Sequence, residues 1–136
     1  MGWPLKAPQA TFSQSMKILI VDDEPPARER LRSLLAEIGD AEVVGEAGSG
    51  TEACDMLASA PVNLALVDYA MPMMSGREFV RLAREIQPDL HVIYVTGAAD
   101  MVASGEFQVQ EPIVVKPYAR TALLKMVREL MLSSEC

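Results

Sequence analysis

From Lys17 the chain alternates two kinds of pattern. KILIV is an unbroken run of β-branched residues and leucine, as expected of a strand covered on both faces. It stops at Asp22, Asp23 and Glu24, and Pro25-Pro26 follow, an acidic and prolyl helix start. The spacing then predicts a helix from about Pro25 to Ile38. Leu31, Leu34, Leu35 and Ile38 form its apolar stripe, Arg28, Glu29, Arg30 and Arg32 lie mostly outside it, and Gly39-Asp40 ends it. The alternation continues: EVVGEA as a strand, Thr51 to Ala60 as a helix with Ala53, Leu57 and Ala60 inward, and Asn63 to Val67 as an apolar strand ending at Asp68. A helix from Gly76 to Ile86, with Phe79, Ala83 and Ile86 on one side, precedes the strand HVIYVT. Residues 97 to 111 are weakly patterned. Pro112 to Lys116 is the fifth strand, and Ala119 to Leu132 is a closing helix with Leu123, Val127, Leu130 and Met131 aligned.

Strands alternating with helices imply right-handed crossovers, hence a parallel sheet with helices on both faces. The expected fold is α/β, a flavodoxin-like doubly wound (βα)5 sandwich with a five-stranded parallel sheet in the order 2-1-3-4-5. In that architecture ligands bind beyond the carboxyl ends of the strands, where the strand order reverses between strands one and three. The acids of this sequence sit at those ends.

Composition narrows the picture. At 136 residues the chain has the length of one ordinary domain. Half of it is apolar, yet no apolar run approaches the roughly 20 residues of a membrane span. The net charge of −7, with basic residues scattered, disfavours direct nucleic-acid binding. The two cysteines, Cys54 and Cys136, lack metal-site spacing and make no disulfide scaffold. A reduced, cytoplasmic setting is expected. Residues 1–15 carry two prolines, no clear period and no signal-peptide core, and read as a flexible extension. Residues 16–133 form the domain, and 134–136 a short tail.

Asp22 and Asp23 after strand one and Asp68 after strand three should meet at one sheet edge. At about 4 Å two like charges repel by roughly 4 kcal/mol at an effective dielectric near 20, so protons or a cation must relieve the cluster. Hard oxygen ligands with incomplete protein coordination favour Mg²⁺. Thr96, ending strand four, and Lys116, ending strand five, add a hydroxyl and an ammonium to the same edge. A carboxylate nucleophile, a metal, a hydroxyl and a cation are the parts of phosphoryl transfer. In isolation, Asp22 and Asp23 read as helix-capping acids, Asp68 as a turn residue and Lys116 as a solvated strand end; their joint placement favours the chemical reading.

The segments ILIVDDEP, LVDYAMPMMSG, VTG and VVKPY resemble the marker motifs of response-regulator receiver domains, over about residues 16 to 133. The resemblance implies that Asp68 is phosphorylated and that Asp23 and Asp68 ligate Mg²⁺ directly, with the main-chain carbonyl of Ala70. It further implies that Asp22 acts mainly through water, that Thr96 hydrogen-bonds the phosphoryl group, that Lys116 pairs with it, and that the Lys116-Pro117 bond is cis. The implied donor is a phosphohistidine on a histidine kinase or histidine phosphotransfer protein, and the implied output is contact with another protein. The domain then catalyses its own phosphotransfer and slow dephosphorylation without being an enzyme toward others.

Two features depart from the pattern. Ile113 stands where many receivers carry a switch aromatic, three positions before Lys116. The stretch from Thr96 to Lys116 is slightly short, and Gly105 and Pro112 interrupt it, so the fourth helix is expected to be short or irregular and the segment mobile. EPPARERLRSLL is similar to receivers joined to LytTR-type DNA-binding domains, whereas DYAMPMMSG and VTGAAD are similar to terminal receivers of hybrid histidine kinases or stand-alone regulators; with no effector expected after Leu132, a free single-domain regulator, a phosphorelay intermediate and a fragment of a longer kinase or regulator all stay open. An aspartyl-phosphate phosphatase would need Asp-x-Asp after strand one, which Asp22-Asp23 does not match, and a non-phosphorylated binding module would have lost a site residue. GEAGSGT lacks the lysine of a phosphate loop and reads as strand, turn and helix cap. His91 reads as a surface or packing residue, and Met71, Met73 and Met74 as packing and loop residues beside the site.

Overall fold

A computed structural model describes residues 15–69, 71, 73–97, 111–116 and 118–134. Five strands and four helices are described: β1 (Met16–Val21), α1 (Pro25–Leu35), β2 (Ala41–Ala47), α2 (Gly50–Ser59), β3 (Leu64–Val67), α3 (Gly76–Ile86), β4 (His91–Thr96), β5 (Ile113–Val115) and α4 (Arg120–Ser134). All strand pairings are parallel and the sheet order is β2-β1-β3-β4-β5, the doubly wound order expected. The helix expected between β4 and β5 falls on residues 98–110, outside the described residues, as do Ala70 and Pro117.

The strand period of two distributes the core. Leu19 and Val21 of β1 face one side, with Phe79, Val80 and Ala83 of α3, Ala53 and Leu57 of α2, and Tyr94. Ile18 and Ile20 face the other, with Leu31, Leu34 and Leu35 of α1, Ile38, and Leu123 and Val127 of α4. Because both faces are covered, all four residues of β3 (LALV) are buried, which is why the central strands read as continuous apolar runs. The edge strand β2 is less covered and carries a bulge: Ile18 pairs with Val43 but Leu19 with Gly45, so Val44 is the extra residue and stays part-exposed.

The helix starts follow their local chemistry. Ser49 accepts from the Glu52 amide at 3.1 Å while Glu52 Oε1 accepts from the Gly48 amide at 2.8 Å, a reciprocal cap that makes GEAGSGT the strand, turn and cap expected. Ser75 accepts from the Glu78 amide at 3.2 Å and starts α3.

One helix end and two inward positions differ from expectation. α1 ends at Leu35, although Ile38 remains buried through the turn that follows. Ala60 and Ile86, expected inward, are exposed at the ends of α2 and α3. The reason is Gln87, whose Nε2 donates to the carbonyls of Leu57 and Ala60 at 2.8 Å each and whose Oε1 accepts from the Val62 amide at 3.0 Å. This polar clamp joins the two helix ends where aliphatic packing was expected. His91 opens β4 half-buried, its amide bonded to the Asn63 carbonyl at 3.0 Å, as the packing reading anticipates.

Candidate functional site

Asp22, Asp68 and Lys116 each lie one step beyond a strand, Thr96 is the last residue of β4, and Asp23 follows Asp22. Asp22 continues β1, its amide donating to Ala47 O at 3.0 Å; Asp68 continues β3, its amide donating to Val21 O at 2.9 Å; and Lys116 continues β5, its amide donating to Thr96 O at 2.7 Å. The sheet ladder therefore places the acids, the threonine and the lysine in register at its carboxyl edge. Asp22, Asp68 and Thr96 are 1%, 9% and 0% exposed, whereas Asp23, one residue further out, is exposed.

Oxygens of Asp22, Asp23 and Asp68 all lie within 4.8 Å of one another. Lys116 Nζ donates to Asp22 Oδ2 at 3.2 Å. Burial opposes the ammonium charge, but the Asp22 carboxylate, with Asp68 and Glu24 behind it, outweighs burial and holds the amine above its ordinary range. Even with Lys116 and the nearby Arg28 beside them, three carboxylates leave the cluster net acidic. A set of hard oxygen donors with that charge fits a divalent cation of the Mg²⁺ type.

The loop after β3 turns back tightly onto Asp68. Gly76 N donates to Tyr69 O at 2.8 Å. A Cβ at Gly76 would sit 2.7 Å from the Asp68 carbonyl oxygen and 2.8 Å from Tyr69 Cα, so only glycine fits the approach. Met71 is buried and Met74 packs against the α2–α3 core, in keeping with a packing role, whereas Met73 is fully exposed with a φ of 71°. Ile113 pairs in register with Tyr94 and packs against the same core. Aromatic bulk is present nearby: Tyr69 of the loop after β3 and Tyr94 of β4 meet edge to face with centroids 5.5 Å apart. Burial, with Glu111 beside it, pushes the Tyr94 hydroxyl up to about 12.

A profile of the family described as the response regulator receiver domain matches residues 18–128. The chain belongs to that family. Among relatives of the receiver, BtsR of Escherichia coli (strain K12), a transcriptional regulatory protein, is 35% identical over 117 residues, covering 85% of this chain and 48% of that protein. YhcZ of Bacillus subtilis (strain 168), an uncharacterized transcriptional regulatory protein, is 39% identical over 85 residues, covering 62% of this chain and 40% of that one. The receiver thus spans about half the length, or less, of these relatives. Among solved structures, the REC domain of AraT from Geobacillus stearothermophilus superposes with a TM-score of 0.77 at 32% identity, covering 90% of this chain and 97% of that one. The isolated REC domain of RcsB from Salmonella enterica serovar Typhimurium, in the presence of phosphomimetic BeF3-, gives 0.74 at 26%, covering 87% and 89%.

Sequence reasoning placed Arg28 outside the apolar stripe and gave it no role. In the receiver it is part-buried, and Nη1 donates to the Asp22 carbonyl at 2.6 Å. Its spacing from the acids, one helical turn into α1, was the available signal.

Proposed function

We propose that this response regulator receiver domain works in two-component signalling by accepting a phosphoryl group on Asp68 from a phosphohistidine of a histidine kinase or histidine phosphotransfer protein. The observation that carries the reading is the meeting of Asp22, Asp23 and Asp68 within 4.8 Å beside Lys116. In the transfer an Asp68 carboxylate oxygen forms the new P–O bond as the P–N bond of phosphohistidine breaks, and the imidazole leaves with a proton from solvent. No general base is needed, since an aspartate is ionised at neutral pH. Asp23, Asp68 and the Ala70 carbonyl would hold Mg²⁺, with Asp22 acting through water; the ion would neutralise charge on the transferring phosphoryl oxygens. Thr96 donates its hydroxyl to the bound phosphoryl group. Lys116 exchanges its Asp22 partner for a phosphoryl oxygen, a short move for a flexible ammonium. Water later cleaves the acyl phosphate and regenerates Asp68.

Output passes by contact with another protein surface, which the net charge of −7 favours over a polyanion. Among the described residues no helix is long and apolar enough to cross a membrane. The test is incubation with Mg²⁺ and beryllofluoride, or a small phosphodonor, beside Asp68→Asn. A one-to-one adduct that is lost in the mutant and on chelation is expected; a wild-type protein that binds Mg²⁺ but takes up neither reagent overturns the reading.

A further inference from the structure

Every polar group of Asp22 is engaged. Its amide donates to Ala47 O at 3.0 Å, Oδ1 accepts from the Glu24 amide at 2.9 Å, Oδ2 accepts from Lys116 Nζ at 3.2 Å, and its carbonyl accepts from Arg28 Nη1 at 2.6 Å. These partners come from β2, from the entry to α1, from the end of β5 and from α1 itself. Asp23 is the opposite case: it is exposed, and among the described residues no side chain holds its carboxylate. Its direction is therefore set by its backbone, and the peptide that leads into it is the one whose oxygen Arg28 binds.

Arg28 is in turn held in place. Its Nε lies 3.5 Å from Glu46 Oε1, and Arg32 Nη1 reaches Glu46 Oε2 at 2.9 Å, so Glu46 on β2 joins two arginines of α1. The guanidinium lies against Gly48, where a Cβ would meet Nη1 at a contact distance of 3.4 Å. Arg28 is only 20% exposed, and a planar fork in such a slot keeps one orientation.

We propose that Arg28 is a positioning residue for the divalent-cation site: by binding the Asp22 carbonyl it fixes the Asp22–Asp23 peptide, and so aims the Asp23 carboxylate, with Glu46 orienting the guanidinium. The inference rests on the phosphoacceptor reading of the cluster. It makes a prediction opposite in sign to simple electrostatics. A cation next to a Mg²⁺ site repels the ion, so removing it would tighten binding if charge were all that mattered. Positioning says that removal loosens it, because groups that orient metal ligands are typically worth about 10–100-fold in affinity.

The experiment is calorimetric Mg²⁺ titration of the full chain as wild type, Arg28→Met, Arg28→Lys and Glu46→Gln. It is paired with amide exchange at Asp23 and Glu24 in the metal-free proteins and with circular dichroism to show that each is folded. Arg28→Met is expected to weaken Mg²⁺ by about tenfold, the low end of that range, and to lower protection of both amides. Arg28→Lys reaches the carbonyl without the fork and recovers part of the loss; Glu46→Gln falls between it and wild type. Unchanged or tighter Mg²⁺ binding by folded Arg28→Met overturns the proposal. If Arg28→Met does not fold, Glu46→Gln decides by the same criteria. Absence of Mg²⁺ binding in the wild type would instead sink the phosphoacceptor reading, while equal amide protection in wild type and Arg28→Met would still overturn the role given to Arg28.

Discussion

The two sides of the carboxyl edge are built differently. On the β1–β3 side, Asp22 and Asp68 extend strands that are almost wholly buried, MKILIV and LALV, paired over four registered residues. On the β5 side, Lys116 follows a strand of three residues, opened by Ile113, of which only Val114 is buried. The carboxylates of Asp22 and Asp68 thus stand on the part of the sheet least able to shift. The Lys116 ammonium follows an edge strand with one side open. In the proposed function, rigid placement would suit the nucleophile and the metal ligands, where small displacements are costly, and a lightly held strand would suit a group that answers the phosphoryl charge.

Four measurements would break or sharpen that contrast. Leu66→Ala should cost roughly 2–5 kcal/mol in urea unfolding, the range for truncating a fully buried leucine, and Ile113→Ala less than about 2, since its side chain is half-exposed. Equal costs would mean that the two sides are equally committed to the core. Gly76→Ala should lose about 1–3 kcal/mol, because its Cβ would meet the backbone of Asp68 and Tyr69, which cannot move aside as a side-chain tip could. It should also slow adduct formation, and full stability with full adduct yield would contradict the tight approach. Lys116→Met should cost about 1–3 kcal/mol at neutral pH, by leaving the buried Asp22 oxygen without its donor. Because the folded amine is held above its ordinary range, that contribution is complete below the unfolded value near 10.4 and fades as pH rises through the folded one. A wild-type advantage that persisted at high alkalinity would point to packing of the stem instead. The smallest effect concerns Tyr94. With its hydroxyl pushed up to about 12 against about 10 unfolded, stability should be intact below pH ~10 and decline between the two values. Tyr94→Phe should flatten that decline, and an unaltered alkaline limb would assign it to other groups.

Much of this was legible in the residues. The apolar runs marked β1, β3 and β4 because both sheet faces are covered, and α3 and β4 lie where the period placed them. The gathering of Asp22, Asp23, Asp68, Thr96 and Lys116 at one sheet edge was legible because each stands where an apolar run stops. What was not legible depends on neighbours distant in sequence. Gln87 supplanting Ala60 and Ile86 reflects hydrogen bonds to the Leu57 and Ala60 carbonyls, which periodicity cannot register. The Val44 bulge arises from pairing between β1 and β2 and leaves no trace in β2 alone.

The sequence by itself determined the order of elements, the two-sided burial of the sheet and the identity of the acids at its edge, since these follow from local period and from where apolar runs stop. Only the tertiary structure decided how charge is shared at that edge. That Lys116 neutralises Asp22, that Arg28 binds the Asp22 carbonyl, and that Asp23 is left exposed are outcomes of which side chains the crossovers bring within hydrogen-bond reach. The Lys116 contact joins residues far apart in the chain, and no local pattern encodes a distance between them, while the Arg28 contact depends on how α1 lies against the end of β1.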